Sequence, residues 1–397
     1  MRYVELLAPA GDLEKLKIAV LYGANAVFIG GKKFSLRSRA SNFSYEDIKE
    51  GCDFAHKYGS KIHVTCNILP HEDDMEGLIS HITKLEECGV DAIICASIYI
   101  LKMVKKYTKM EAHLSTQETT INSSAVDFWV SEGADRVVLG RELSIEEIKD
   151  ICDKSPVDIE AFIHGGMCVS YSGRCMLSNN MTNRDANRGG CAHSCRWNYD
   201  LISGGNKINP DGEYFAMSSK DLCAIRDIPA LIDAGVDSFK IEGRMKSLHY
   251  IATVVKAYRM IIDEYNASGK IKDYDFYIKE IAKAENRHTS YGFLHGMTDV
   301  SEQLYNSRSE EPTQNFIGIV KSYDKENKVA YVESRNFFKP NSKIELFGPK
   351  LNKVIEIKEI YDKDENMLDA SRHPGDIVHF KCDIPLEEYD MVRLYED

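Results

Sequence analysis

Four cysteines give the middle of this 397-residue chain its chemical character. Cys168 and Cys175 have six residues between them, fifteen follow, and Cys191 and Cys195 have three between them. Thiolates are soft ligands, and four converging sulfurs suit Zn²⁺ or an iron–sulfur cluster. Zinc sites favour two to four residues between paired cysteines, so the first gap is loose for zinc, while clusters tolerate irregular spacing. Both metals stay open at this point, as does the reading of four unrelated small residues. From Gly165 to Trp197 the chain also carries Arg174, Arg184, Arg188 and Arg196 against Asp185 alone, a local charge of +3 in a protein of net charge -12. Arginine suits bidentate binding of carboxylate or phosphate, and Tyr171 and Trp197 could stack on a base; a solvated charged face is the competing reading.

Positioning such groups needs a scaffold, and the sequence supplies a repeating one. Short β-rich runs at 4–8, 26–30, 61–67, 91–95, 111–117, 136–140, 158–164 and 237–242 alternate with helical stretches at 13–22, 45–58, 74–88, 97–107, 122–132, 144–153, 220–234 and 247–266. Phrases such as Gly23-Ala24-Asn25 and Gly235-Val236-Asp237 mark where a helix stops and the next strand begins. Eight such units predict an α/β fold, a (β/α)8 barrel over 1–266, whose chemistry belongs at the C-terminal ends of its strands. Polar residues gather there: His63, Thr65 and Asn67; His113, Ser115 and Gln117; Glu160 and His164; Lys240 and Glu242. Arg37, Arg39, Arg141, Arg244 and Lys246 follow strand ends as well, and a mouth ringed by cations predicts a small anionic substrate or an RNA backbone.

A long insert, 165–219, interrupts the rhythm after the seventh strand, where connections usually run two to six residues. Residues 267–313 read as a connecting segment, and 314–397, with short β-like runs and turns, as a small β-barrel. That last region has 13 Lys and Arg against 17 Asp and Glu, too acidic for bulk electrostatic RNA binding. Cys52, Cys66, Cys88, Cys95, Cys152 and Cys382 fall on helix or strand patterns as core residues; Cys223, placed at the start of the 220–234 helix, could replace one metal ligand but suits packing better. Eleven cysteines without a signal peptide or an 18-residue apolar run predict reduced thiols, a cytoplasmic location and no membrane span. No HExxH, GxSxG, Walker, GxGxxG or CxxxCxxC motif is present.

The run from Glu160 through His164-Gly165-Gly166-Met167-Cys168 to Arg174-Cys175-Met176-Leu177-Ser178 closely resembles the signature of the peptidase U32 family. The likeness extends to Glu5-Leu6-Leu7-Ala8-Pro9-Ala10-Gly11, to Gly190-Cys191, to Cys195-Arg196-Trp197, to Lys240-Ile241-Glu242-Gly243-Arg244-Met245-Lys246-Ser247 and to the C-terminal β-domain. Despite its name, much of the family looks like an oxygen-independent hydroxylase group. The resemblance implies an iron–sulfur cluster of the 4Fe-4S type on Cys168, Cys175, Cys191 and Cys195, and 5-hydroxylation of wobble uridine in tRNA with prephenate as hydroxyl donor. Prephenate is a dicarboxylate, in keeping with the cationic mouth. Arg37, Arg39, Arg174 and Arg244, with Asn67 and Gln117, are then expected to bind substrate, and His164, Lys240 and Glu242 to move protons. Relatives that hydroxylate ribosomal RNA are longer, and those of ubiquinone synthesis, which act as a heteromeric pair, usually lack the small domain; a partner subunit or paralogue is a related expectation. The alternatives are a collagenase-like peptidase, in which His164 would pair with Ser170 or Ser172, an rRNA hydroxylase, and a noncatalytic RNA-binding factor.

Overall fold

The computed structural model describes residues 2–36, 43–284, 287–304 and 315–395, so Arg37 and Arg39 lie outside the described residues. Eight parallel strands form the centre: β1 (Glu5–Pro9), β2 (Ala26–Gly30), β3 (Lys61–Cys66), β4 (Ala92–Cys95), β5 (Glu111–Leu114), β6 (Arg136–Val138), β7 (Asp158–Gly165) and β8 (Ser238–Ile241). Each pairs with the next, and β8 pairs with both β7 and β1, which closes the barrel. The loops that enter the helices end in Asp12, Ser44, Asn122, Ser144 and Ser247, each accepting a backbone N–H in the first turn, the capping that orphan donors at a helix start require. At the other end of the repeat, Gly23 and Gly235 take φ of 113° and 95°, a conformation a side chain resists. Among the described residues no helix is long and apolar enough to cross a membrane.

The barrel interior is half apolar and half ionic. Leu7, Ala26, Phe28 and Ile94 form one cluster. Beside it Arg136 bonds to Glu5 and Glu160, Lys240 reaches Glu160 at 2.6 Å, and Ser238 donates to both carboxylates. His63 and His113 meet edge to face at 4.8 Å, and burial holds both imidazoles well below the usual value, hence neutral. Two cations against two carboxylates leave this interior balanced.

Three stretches differ from the sequence pattern. Strand β5 stops at Leu114, and Thr116–Glu118 turns as a 3-10 segment, which moves Ser115 and Gln117 from the strand onto the mouth loop. The expected helix over 220–234 begins instead with a strand, Asp221–Cys223, antiparallel to β7 with Cys223 opposite His164; the helix is Ile228–Asp233, started by Pro229. Cys223 is therefore a strand residue, placed by ladder pairing rather than helix packing. The stretch 267–313 carries the helix Tyr274–Ala282 and a short strand, Thr289–Ser290, parallel to Asp221–Cys223.

By compactness the chain divides into Met1–Ile281 with Asn286–Glu311, and Ala282–Glu285 with Pro312–Asp397. The second unit is one eight-stranded antiparallel sheet that curls into a half-barrel. Alternating burial along Val329–Ser334 turns Ala330 and Val332 toward a core with Ile317, Ile344, Phe338 and Phe380, the period expected of a sheet with one wet face.

Candidate active site at the barrel mouth

The insert leaves β7 at Gly165 and is built from short turns, 3-10 segments at Tyr171–Gly173, Ala186–Arg188 and Ser194–Arg196, one helix, Leu177–Thr182, and a hairpin of Ile202–Ser203 with Asn206–Lys207. Cross-links to barrel loops hold it. Ser172, at φ 46°, gives its N–H and Oγ–H to Glu142 at 2.6 and 2.7 Å; Arg174 pairs with Glu118 and Arg188 with Asp74. Cys168 and Cys191 are exposed, Cys175 and Cys195 half-buried. Burial pushes the Cys195 thiol up, Arg196 eases it, and Cys168, Cys191 and Cys175 raise it again. Among the described residues no three or more His, Cys, Asp or Glu form a group suited to a single metal ion. Six of the other cysteines behave as core: burial lifts Cys52, Cys95 and Cys152 to about 12 and raises Cys66, Cys88 and Cys382, which leaves them protonated and inert.

Between the insert and the barrel, polar groups gather around Gly166. Arg141 Nη1 donates to the Gly166 carbonyl at 2.6 Å, and Arg196 Nη2 lies 3.4 Å from the Met167 carbonyl. A Cβ on Gly166 would stand 3.3 Å from Arg196, 3.7 Å from Asp221 and 3.8 Å from Glu242. Asp221 is itself held by Arg287 at 3.1 Å and by Lys246 at 3.9 Å. Two arginines and two carboxylates thus converge at the end of β7, two residues before Cys168. Another recess, at the opposite end of the barrel among Arg2, Cys152, Ser155, Asp158 and Asp237, lies on the face where barrels invest in stability rather than chemistry.

The remaining expected site residues separate into groups. Asn67 Nδ2 donates to Gln117 Oε1 at 2.8 Å, and Ser115 joins them. Arg244, 5 % exposed, donates to Ser35, Thr65 and the Leu36 carbonyl at 3.0, 2.9 and 2.9 Å. Lys240 lies inside the barrel on Glu160, 4.8 Å from the Phe28 ring and 5.5 Å from that of Phe162; burial draws its ammonium below the usual value against the pull of Glu160. His164 is 1 % exposed and packs on the long helix Leu248–Ser268, with Nδ1 3.2 Å from the Tyr258 hydroxyl and its ring near Tyr250. Cys223 Sγ is 3.8 Å from the same hydroxyl; burial raises this thiol, but the hydrogen bond and charge of His164 outweigh it and bring it below its ordinary value. The Asp221–Arg287 pair and the hold of Arg141 and Arg196 on the Gly166–Met167 backbone were not legible in advance, since tertiary placement and no local pattern sets them; only the cationic residue after strand six hinted at Arg141.

The placement of Arg244 makes a testable demand on β2. A Cβ at Gly30 would come within 2.5 Å of Arg244 Nη1 and 2.6 Å of Ser35 Oγ, closer than real contacts allow, and the guanidinium is too tightly bonded to yield cheaply. Gly30→Ala is expected to cost about 1–3 kcal/mol and to displace Arg244 from the mouth; denaturant unfolding checks the first, and a changed electron density at Arg244 the second.

Comparison with known proteins agrees with this architecture. A Bacillus subtilis (strain 168) protein named tRNA hydroxylation protein P1 is 48% identical over 397 residues, covering 98% of this chain and 94% of its own. The Escherichia coli (strain K12) protein named tRNA hydroxylation protein P is 34% identical, covering 94% and 92%. A Porphyromonas gingivalis protein named collagenase is 35% identical over 66% of each chain. The family model described as peptidase family U32 matches residues 11–304, and that for the peptidase family U32 C-terminal domain matches 312–393. With barrel and small domain both matched, the chain belongs to peptidase family U32.

Proposed function

We propose that this chain hydroxylates RNA, specifically C5 of the wobble uridine of tRNA, without O₂, with prephenate as hydroxyl donor and an iron–sulfur cluster of the 4Fe-4S type on Cys168, Cys175, Cys191 and Cys195. The observation that carries the reading is that Cys168 lines a recess at the barrel mouth with Arg141 and Glu142, in a chain nearly half identical to a tRNA hydroxylation protein. The donor set fits the group: four soft ligands are present, and a cluster interposes iron and sulfide, so it needs its thiolates farther apart than one tetrahedral ion does. When bound, the cluster would supply one-electron chemistry or a Lewis-acidic iron.

The chain's own residues divide the remaining work. Glu242, close to Gly166 and Arg196, is placed to take or return a proton at the mouth. Lys240 and Glu160 balance each other beneath it and keep the floor dry and rigid. Arg244 braces Ser35 and Leu36, and the Asn67–Gln117 pair offers amide groups suited to a base edge. A peptidase would need an activated nucleophile, yet the Ser172 hydroxyl is given to Glu142 and Ser170 Oγ has no hydrogen-bond partner among the described residues, so neither is paired with His164.

The test is mass spectrometry of tRNA nucleosides from a strain lacking the gene, with and without the wild-type chain restored. Loss of 5-hydroxyuridine derivatives that the wild type restores is the expected result. Nucleosides that do not change on deletion would sink the reading and return weight to rRNA hydroxylation or proteolysis.

A further inference from the structure

The arginines of this face differ in what already holds them. Arg174 and Arg188 are paired with carboxylates, Arg287 with Asp221, and Arg244 is spent on Ser35, Thr65 and Leu36. Arg141 has no carboxylate partner among the described residues. Its hydrogen bond is the one from Nη1 to the Gly166 carbonyl, and its Cζ lies 3.8 Å from the centre of the Phe162 ring. Stacking of this kind fixes the plane of a guanidinium while leaving its edge donors for a ligand. The residue directly follows Gly140, at the C-terminal end of β6, where barrels place ligands.

A recess opens beside it, lined by Arg141, Glu142, Met167, Cys168, Ser170 and Ser172. The carboxylate in this wall is occupied, since Glu142 accepts both the N–H and the hydroxyl of Ser172. The hydroxyl of Ser170 is the opposite case: Oγ is buried and has no hydrogen-bond partner among the described residues, a desolvated donor that a ligand oxygen would satisfy. A fixed guanidinium and an unsatisfied hydroxyl on one concave wall match a carboxylate, which accepts two parallel bonds from the arginine and a third from the serine.

We propose that Arg141 and Ser170 form the carboxylate subsite for the small anionic co-substrate, which seats that molecule against Cys168. The assignment rests on the reading that the chain uses a dicarboxylate donor, and it gives donor recognition to a residue other than Arg174 and Arg244.

Prephenate titrated by calorimetry at low ionic strength into the purified full-length chain tests it, with tRNA affinity measured by filter binding on the same samples. Arg141→Met should weaken prephenate binding about 10-fold or more, Arg141→Lys about 3- to 10-fold because the charge stays while the fork is lost, and Ser170→Ala about 3-fold. Affinity for tRNA should stay within about 2-fold of wild type, because phosphate contacts are spread over many cations. Equal prephenate affinity in wild type and Arg141→Met overturns the subsite even where the wild type restores tRNA hydroxylation. A wild type that neither restores hydroxylation nor binds prephenate overturns the functional reading instead. In that case succinate and phenylpyruvate are the probes, and the subsite stands only if their binding shows the same dependence on Arg141. Should Arg141→Met not fold, Arg141→Lys and Ser170→Ala decide by the same criterion.

Discussion

Cys168→Ala is expected to reduce bound iron to background and to abolish restoration of 5-hydroxyuridine in tRNA in the same sample, a loss of at least about 100-fold in modification if the ligand set is as proposed. The two readouts are independent: iron is measured on the purified chain, and modification in cells. Cys168 is exposed on a loop, so its removal costs little packing and a loss of iron is not an unfolding artefact. Cys152→Ser supplies the contrast. That thiol lies half-buried at the end of the helix Ile145–Cys152, raised to about 12 by burial, and its replacement should leave iron and modification at wild-type levels. Retained modification in an iron-free Cys168→Ala chain would remove the cluster from the reaction; equal iron loss in both variants would mean that the iron is adventitious.

The repeat that made the barrel legible is local: a strand, a capped helix and a glycine that ends it can each be read within about 25 residues, and closure follows because eight such units leave no edge. The cysteine insert was legible for the same reason, since its ligand types lie within 28 positions of one another. What could not be read is non-local. His63 and Lys240 show the same alternation as Thr65 and Gln117, yet the first two meet the interior groups His113 and Glu160 while the last two bond to Ser35 and Asn67, partners that other segments supply. Cys223 looked helical because Leu222, Ile225 and Ile228 are spaced like a helix face; tertiary pairing with Gly165 and His164 overrode that pattern. Arg174 and Arg141 are the same residue type at the same rim, and only the presence of Glu118 beside one of them decides which keeps its donors for a ligand.

Arg136→Met should destabilise the barrel by about 3–5 kcal/mol, since removing one partner from a buried ion pair leaves an uncompensated charge. Arg136 is 4 % exposed and serves Glu5, Glu160 and, at the rim, Asp158. Without it, Glu160 keeps Lys240, and Glu5 keeps the Ser238 hydroxyl but no cation among the described residues. The pH dependence identifies the cause. Glu160 is pushed up by burial, but Lys240 and Arg136 outweigh that and hold it at about 2. A depressed carboxyl contributes stability above its unfolded value of about 4.3 and loses it as pH falls toward the folded value. In Arg136→Met that contribution shrinks from the outset, so the gap between wild type and variant is greatest near neutrality and narrows below about pH 4. Both tryptophans, Trp129 and Trp197, lie in the Met1–Ile281 stretch, so their fluorescence during urea unfolding follows the barrel without the small domain. Adding Glu5→Gln to Arg136→Met should recover part of the loss, because Glu5 is the carboxylate left without a cation while Glu160 keeps Lys240. A gap that stays constant from pH 7 to pH 3, with no recovery in the double variant, would assign the effect of Arg136 to side-chain packing instead of its charge.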